Sequence, residues 1–225
     1  GFLMELKQQA LWVHKKLLDH FGQPEWRDPL PPLDELISTI LSQNTNDNNR
    51  DRAFQALRNI FPTWEAVRDA STSAVIDAIR PAGLANQKGP RIQQVLREIT
   101  AQRGELDLDF LNKLSVEEAS NWLMSFHGVG PKTAAIVLQF ALGKPAFPVD
   151  THIYRVSGRL GLRPEKMNAD QSHQHLSGIF APETYYAAHL NLIRLGREIC
   201  KARKPECERC PLQRVCSFYT QRPNQ

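Results

Sequence analysis

Two segments of this 225-residue chain carry side chains able to do covalent or inorganic chemistry. In the first, Lys132 follows Phe126-His127-Gly128-Val129-Gly130-Pro131 and precedes Thr133-Ala134. An amine held at a helix start and partly desolvated loses some of its preference for the proton and becomes a usable nucleophile. Eighteen residues later Asp150 stands within Val149-Asp150-Thr151-His152-Ile153-Tyr154-Arg155-Val156. A carboxylate there can take a proton or offset a developing cation, and it can equally serve as the N-cap of a helix running to Leu160. In the second segment the chain's four cysteines stand within 17 residues, as Cys200-x6-Cys207-x2-Cys210-x5-Cys216. Disulfides stabilise most when they close long loops, so thiols bunched in one segment do not read as a bridge framework. Four thiolates can converge on one inorganic centre. Zinc sites built from four cysteines show two short knuckles, and only one C-x2-C pair is present, so the spacing favours a [4Fe–4S] cluster over zinc.

The elements that must position these groups read as helices. Apolar residues recur at helical spacing from Leu6 to Phe21, and Leu36, Ile37, Ile40 and Leu41 mark a second helix after Pro29-x-Pro31-Pro32. Further helices are predicted over 53–61, 64–68, 73–79 and 90–102, the last opening with Pro90 near its first turn. Ser115-x-x-Glu118 reads as a capping box for a helix over 116–126. Gly128-Val129-Gly130 turns the chain, Pro131 suits a first helical turn, and an apolar helix follows over 133–142 to Gly143. No stretch alternates with period two, so the predicted class is all-α. Glycines joining two helices leave backbone N–H groups open to a phosphate, although an isolated Gly-x-Gly more often marks a plain turn.

The charge is uneven. Residues 146–225 carry 12 Lys and Arg against 7 Asp and Glu, whereas residues 1–145 carry 16 against 17. Around the cysteines lie Arg194, Arg197, Lys201, Arg203, Lys204, Arg209 and Arg214, a patch suited to a polyanion whose counterions it would release. No apolar run is long enough to span a bilayer, so no membrane partner is expected. The first residues lack a signal-peptide pattern, and clustered thiols without an export signal suggest a reducing cytoplasm.

Taken together, the Gly128–Ala134 turn, Val149-Asp150-Thr151-His152 and the cysteine spacing resemble the endonuclease III family. These are helix-hairpin-helix DNA glycosylases with AP lyase activity. The likeness runs from about Leu33 to Cys216, with three motifs in the family's order. It implies a six-helix barrel domain over 28–145 containing the hairpin at about 115–143. It further implies a discontinuous iron–sulfur cluster domain built from 1–27 and 146–225, with a DNA cleft between the two domains. The implied protein is a monomer, nucleoid-associated if bacterial, and its partner is double-stranded DNA with damaged bases or abasic sites. Lys132 and Asp150 would be catalytic, with Lys132 attacking C1′ of a flipped nucleotide and forming a Schiff base that permits β-elimination. The presence of the lysine points to the bifunctional branch, for which oxidised pyrimidines are the expected substrates.

Other roles follow from the same resemblance. Cys200, Cys207, Cys210 and Cys216 would hold the [4Fe–4S] cluster, and Lys201, Arg203 and Lys204 would touch DNA from the loop it fixes. Gly128, Val129 and Gly130 would grip the backbone. Gln43 or Asn44, within Leu41-Ser42-Gln43-Asn44-Thr45-Asn46-Asp47, would fill the hole left by the flipped base, and Leu84 of Ala82-Gly83-Leu84 would wedge into the opposite strand. His152 would line the pocket, while His173 and His175 read as ordinary surface or packing residues. Phe126-His127 replaces the Leu-Pro common in bacterial relatives, and Pro131 stands where an Arg is frequent, removing one cation and one N–H from the hairpin. Three other readings stay open. One is an adenine-mismatch glycosylase, which Lys132 and the short stretch after Cys216 disfavour. The others are a thymine- or uracil-mismatch glycosylase and a non-enzymatic cluster-bearing DNA-binding protein.

Overall fold

A computed structural model describes residues 2–222. The α-helices in chain order are α1 (Phe2–Phe21), α2 (Pro32–Ser42), α3 (Asp47–Ile60), α4 (Trp64–Asp69), α5 (Thr72–Ala78), α6 (Ala85–Arg103), α7 (Val116–Met124), α8 (Pro131–Ile136), α9 (Thr151–Leu160), α10 (Ala169–Ile179), α11 (Tyr185–Glu198) and α12 (Ser217–Thr220). Short 3₁₀ turns and one π-helical turn join them, and no strand occurs among the described residues. The all-α expectation holds. The chain divides into two compact units, one of Asp28–Lys144 and the other of Gly1–Arg27 with Pro145–Gln225.

In the unit Asp28–Lys144, α2 buries Leu33, Leu36, Ile37, Ile40 and Leu41 along one stripe, the i, i+3, i+4, i+7 spacing of an inward helical face. Ile92, Val95, Leu96 and Ile99 of α6 make a second such stripe. Polar groups sealed among these residues are paired, as burial requires. Gln93, fully buried, donates to the carbonyls of Val67 (3.1 Å) and Ala70 (2.8 Å) and accepts from the Thr72 hydroxyl (2.8 Å), tying the end of α4 to the start of α5. Gly89 lets α6 approach α5 closely, since a Cβ there would lie 2.8 Å from Cγ1 of Ile76.

Three helices depart from the predicted bounds. Helix α6 begins five residues before Pro90, capped by Leu84 in the left-handed conformation, with the amides of Gln87 and Lys88 both donating to the Leu84 carbonyl. Pro90 cannot donate to the carbonyl of Asn86, but both residues are exposed and water can serve that group. Helix α3 starts at Asp47, not 53, because Asn46 caps it by accepting from the Asn49 amide (2.8 Å). The helix expected over 133–142 is α-helical only to Ile136. Val137–Ala141 then widens into a π turn whose exit bond runs from the Leu142 amide to the Val137 carbonyl. The capping box forms as expected, with Ser115 and Glu118 bonded reciprocally at α7.

In the other unit α1 packs on α10 and α11, and α11 packs on α9. Its core includes Leu6, Val13, Leu17, Ile153, Val156, Leu176 and Leu192. The extended segment leading to Asp150 is anchored by Phe147, whose ring stacks on Phe180 (5.0 Å, 9°) and meets Tyr185 edge-on.

Candidate functional site

The hairpin joins α7 to α8. Gly128 has φ +87°, a backbone conformation that calls for glycine, and the flexible Arg91 side chain lies 2.5 Å from where a Cβ would stand. Val129 turns inward, its side chain 5% exposed and its amide donating to the Phe126 carbonyl (3.1 Å). The amides of Gly128 and Gly130 take no part in the turn's own hydrogen bonds. Lys132, at the second position of α8, is exposed; the partial desolvation expected for it is absent from the protein alone.

Asp150 is the N-cap of α9, its Oδ1 accepting from the Ile153 amide (2.8 Å) and its backbone extended at φ −88°. Such a cap contributes about 1 kcal/mol and engages one carboxylate oxygen. The residue before it is held by His173, which the sequence reads as an ordinary surface or packing residue. His173 Nε2 accepts from the Val149 amide (2.9 Å) while Nδ1 faces the Ala169 carbonyl (3.0 Å), which puts the proton on Nδ1. His152 is half-buried against Gly196, and its Nδ1 accepts from Arg155 Nη2 (3.1 Å). No spacing signal marks the bond from Val149 to His173, because the two residues lie 24 positions apart.

The two loops expected to enter DNA have unusual backbones. Asn44 (φ +56°) and Leu84 (φ +50°) are both left-handed, a conformation costly for a leucine. Leu84 is 47% exposed, so it is not a core residue. Asn44 is exposed too, whereas the Gln43 amide is engaged, donating to the Gly128 carbonyl (3.2 Å).

The four cysteines line one enclosed cavity with Val156, Leu195, Ile199 and Phe218. Among the described residues no three His, Cys, Asp or Glu side chains meet closely enough to hold a single ion. Burial first, then the neighbouring thiols, pushes Cys210 up to about 11, and burial raises Cys216 as well. Helix α9 braces the start of the segment through two arginines one turn apart. Arg155 donates to the carbonyls of Cys200 (3.2 Å) and Gly196 (2.9 Å). Arg159 donates to Cys200 Sγ (3.3 Å) and the carbonyls of Lys201 (2.8 Å) and Ala202 (3.1 Å). Such donors stabilise charge on a ligand sulfur. In the loop beyond, Lys201 pairs with Glu206 (3.4 Å), a carboxylate held low mainly by Arg209, while Arg203 and Lys204 are exposed and meet no carboxylate among the described residues.

Comparison with known proteins fits this geometry. Residues 37–182 match the HhH-GPD superfamily base excision DNA repair proteins, and residues 200–216 match the iron–sulfur binding domain of endonuclease III. The chain is 34% identical over 191 residues to endonuclease III of Thermotoga maritima, covering 85% of each. It is 37% identical over 190 residues to a putative DNA glycosylase of Arabidopsis thaliana, with 80% of this chain matched but only 64% of the plant protein's length. Its fold superposes on a non-covalent endonuclease III–DNA complex with a TM-score of 0.80 at 28% identity, over 95% of this chain and 96% of that one. The chain therefore belongs to the HhH-GPD superfamily of base excision DNA repair proteins. Within it, this is an endonuclease III-like enzyme of the DNA glycosylase and AP lyase class, its cofactor a [4Fe–4S] cluster and its partner DNA. No helix among the described residues is long and apolar enough to cross a membrane.

Proposed function

We propose that the protein is a bifunctional glycosylase that removes oxidised pyrimidines from duplex DNA and nicks the strand through a lysine Schiff base. The observation that carries this reading is Lys132, an exposed amine two residues after the last hairpin glycine in an endonuclease III-like chain. With a nucleotide flipped out, bound DNA would supply the desolvation that the free protein lacks. The deprotonated amine attacks C1′ as the C1′–N bond breaks, and the base leaves with the bonding pair. Ring opening yields an iminium, and loss of a C2′ proton then expels the 3′-phosphate. Asp150 receives the amine's proton or offsets the cationic sugar through the carboxylate oxygen not used in capping α9.

Exposed Asn44 is better suited than Gln43 to fill the vacated hole, because the Gln43 amide already holds the Gly128 carbonyl. Leu84, half-exposed and backbone-strained, suits the opposite-strand wedge. His152 is the candidate pocket residue on the strength of its motif. The [4Fe–4S] cluster would be held by Cys200, Cys207, Cys210 and Cys216 and would fix the backbone of the basic loop between them. No reaction step is routed through it.

The test is borohydride trapping of the protein on an abasic duplex, followed by a panel of thymine glycol, dihydrouracil, uracil and mismatched duplexes. A trapped covalent complex with preference for the oxidised pyrimidines is the expected result. Base removal without trapping, or preference for a mismatch, replaces the reading with that of a mismatch glycosylase. The basic loop gives a separate prediction. Changing Lys201, Arg203 and Lys204 together to Ala should weaken binding to all duplex sequences alike. It should also reduce the slope of log K against log salt by about 2, given roughly 0.9 per phosphate contact and the sharing of Lys201 with Glu206. An unchanged slope would mean the loop does not meet phosphates.

A further inference from the structure

Lysine is seldom sealed from water, because its ammonium is strongly solvated. Lys88 of α6 is 3% exposed, and no carboxylate among the described residues pairs with it. Its Nζ donates instead to two backbone carbonyls, that of Leu41 (2.9 Å) and that of Ala82 (3.1 Å). Burial holds its pKa below the ordinary lysine range, although two ammonium hydrogens are satisfied. The two carbonyls come from different parts of the chain, and each lies just ahead of an exposed, left-handed residue: Asn44 three positions after Leu41, and Leu84 two positions after Ala82. Left-handed backbone at a residue other than glycine persists only where its surroundings hold it, at a cost of about 1 kcal/mol or more. Gln43, bonded to Gly128, ties the first loop to the hairpin as well.

We propose that Lys88 is a positioning residue that clamps the loops of Asn44 and Leu84 to each other, so that both side chains are set in advance for entry into the duplex as a nucleotide is flipped. The inference rests on the glycosylase reading above for its consequence, but not for its geometry. A lysine suits the task because its long stem reaches the gap between two carbonyls and its head carries three donors. A residue without donors leaves two carbonyls buried and unpaired.

Amide hydrogen exchange tests the clamp without reference to activity. In Lys88→Met, the amides of Gln43, Thr45 and Gly83 should exchange about tenfold faster or more, with the helices of both units unchanged. Unchanged exchange at those amides overturns the clamp. Activity tests its consequence. Lys88→Met should slow base removal from an intact duplex roughly 10- to 100-fold while slowing strand cleavage at a preformed abasic site less than about threefold, because that nucleotide has no base to unstack. If Lys88 acts through Leu84, the double variant with Leu84→Ala should lose no more base removal than the worse single variant. A merely structural lysine gives the opposite pattern, with multiplying losses and both activities falling together with melting temperature. Should Lys88→Met fail to fold, Lys88→Gln keeps two donors on a shorter stem, and the same split and non-additivity are expected. Parallel losses there overturn the proposal. A wild-type protein that removes no base from any duplex would defeat the glycosylase reading alone, leaving the exchange result to decide the clamp.

Discussion

Lys132→Gln should abolish strand cleavage and borohydride trapping on abasic DNA. A fall of at least about 10³-fold is expected, equivalent to roughly 4 kcal/mol of barrier. An amide nitrogen is not nucleophilic at neutral pH and cannot form an iminium. Because Lys132 is exposed and makes no packing contact that its loss would leave empty, stability should change by no more than about 0.5 kcal/mol. DNA affinity should fall only a few-fold, through one lost positive charge. The separation between binding and chemistry is the informative part. Near-normal trapping by the variant would remove Lys132 from the mechanism, and parallel loss of binding would make it a phosphate contact instead.

Asp150→Asn should cost turnover at least about 10²-fold, near 2.7 kcal/mol of barrier, with little change in melting temperature. The contrast arises because Asn caps a helix about as well as Asp, so the bond from the Ile153 amide survives and α9 stays in place. What the amide cannot do is accept a proton or offset a cationic sugar. Asp150→Ala supplies the control. It should lose the same activity and, in addition, about 1 kcal/mol of stability with the cap. If Asp150→Asn retains turnover within tenfold, about 1.4 kcal/mol, Asp150 is a helix cap and nothing more.

Much of this protein follows from local rules that act within a few residues. The inward stripe of α2, the reciprocal bonds of Ser115 and Glu118, and the cap at Asp150 all depend on contacts three or four positions apart, and the sequence displays those spacings directly. The four cysteines are legible for the same reason, since their ligand spacing lies within one short segment. The bounds of α6 were not legible. Pro90 looked like a first turn because proline favours that position, yet a left-handed Leu84 starts the helix five residues earlier, and an exposed Asn86 carbonyl tolerates the missing donor. The π turn after α8 was invisible as well, because its wider hydrogen-bond register leaves no mark on apolar periodicity.

The supports around the candidate site belong wholly to the tertiary structure. Lys88 lies outside the helix predicted over 90–102, and nothing in the spacing marks it or Gln93; carbonyls from positions 41, 67, 70 and 82 converge on them only in the packed chain. Arg155 and Arg159 look like surface charge until the Cys200 segment is laid across them, and His173 is unremarkable until Val149 reaches its ring. A sequence determines which backbone groups a helix or cap leaves unpaired. Only the packed chain determines which distant side chain is near enough to pair them, because that proximity is set by helix docking and not by any local bond.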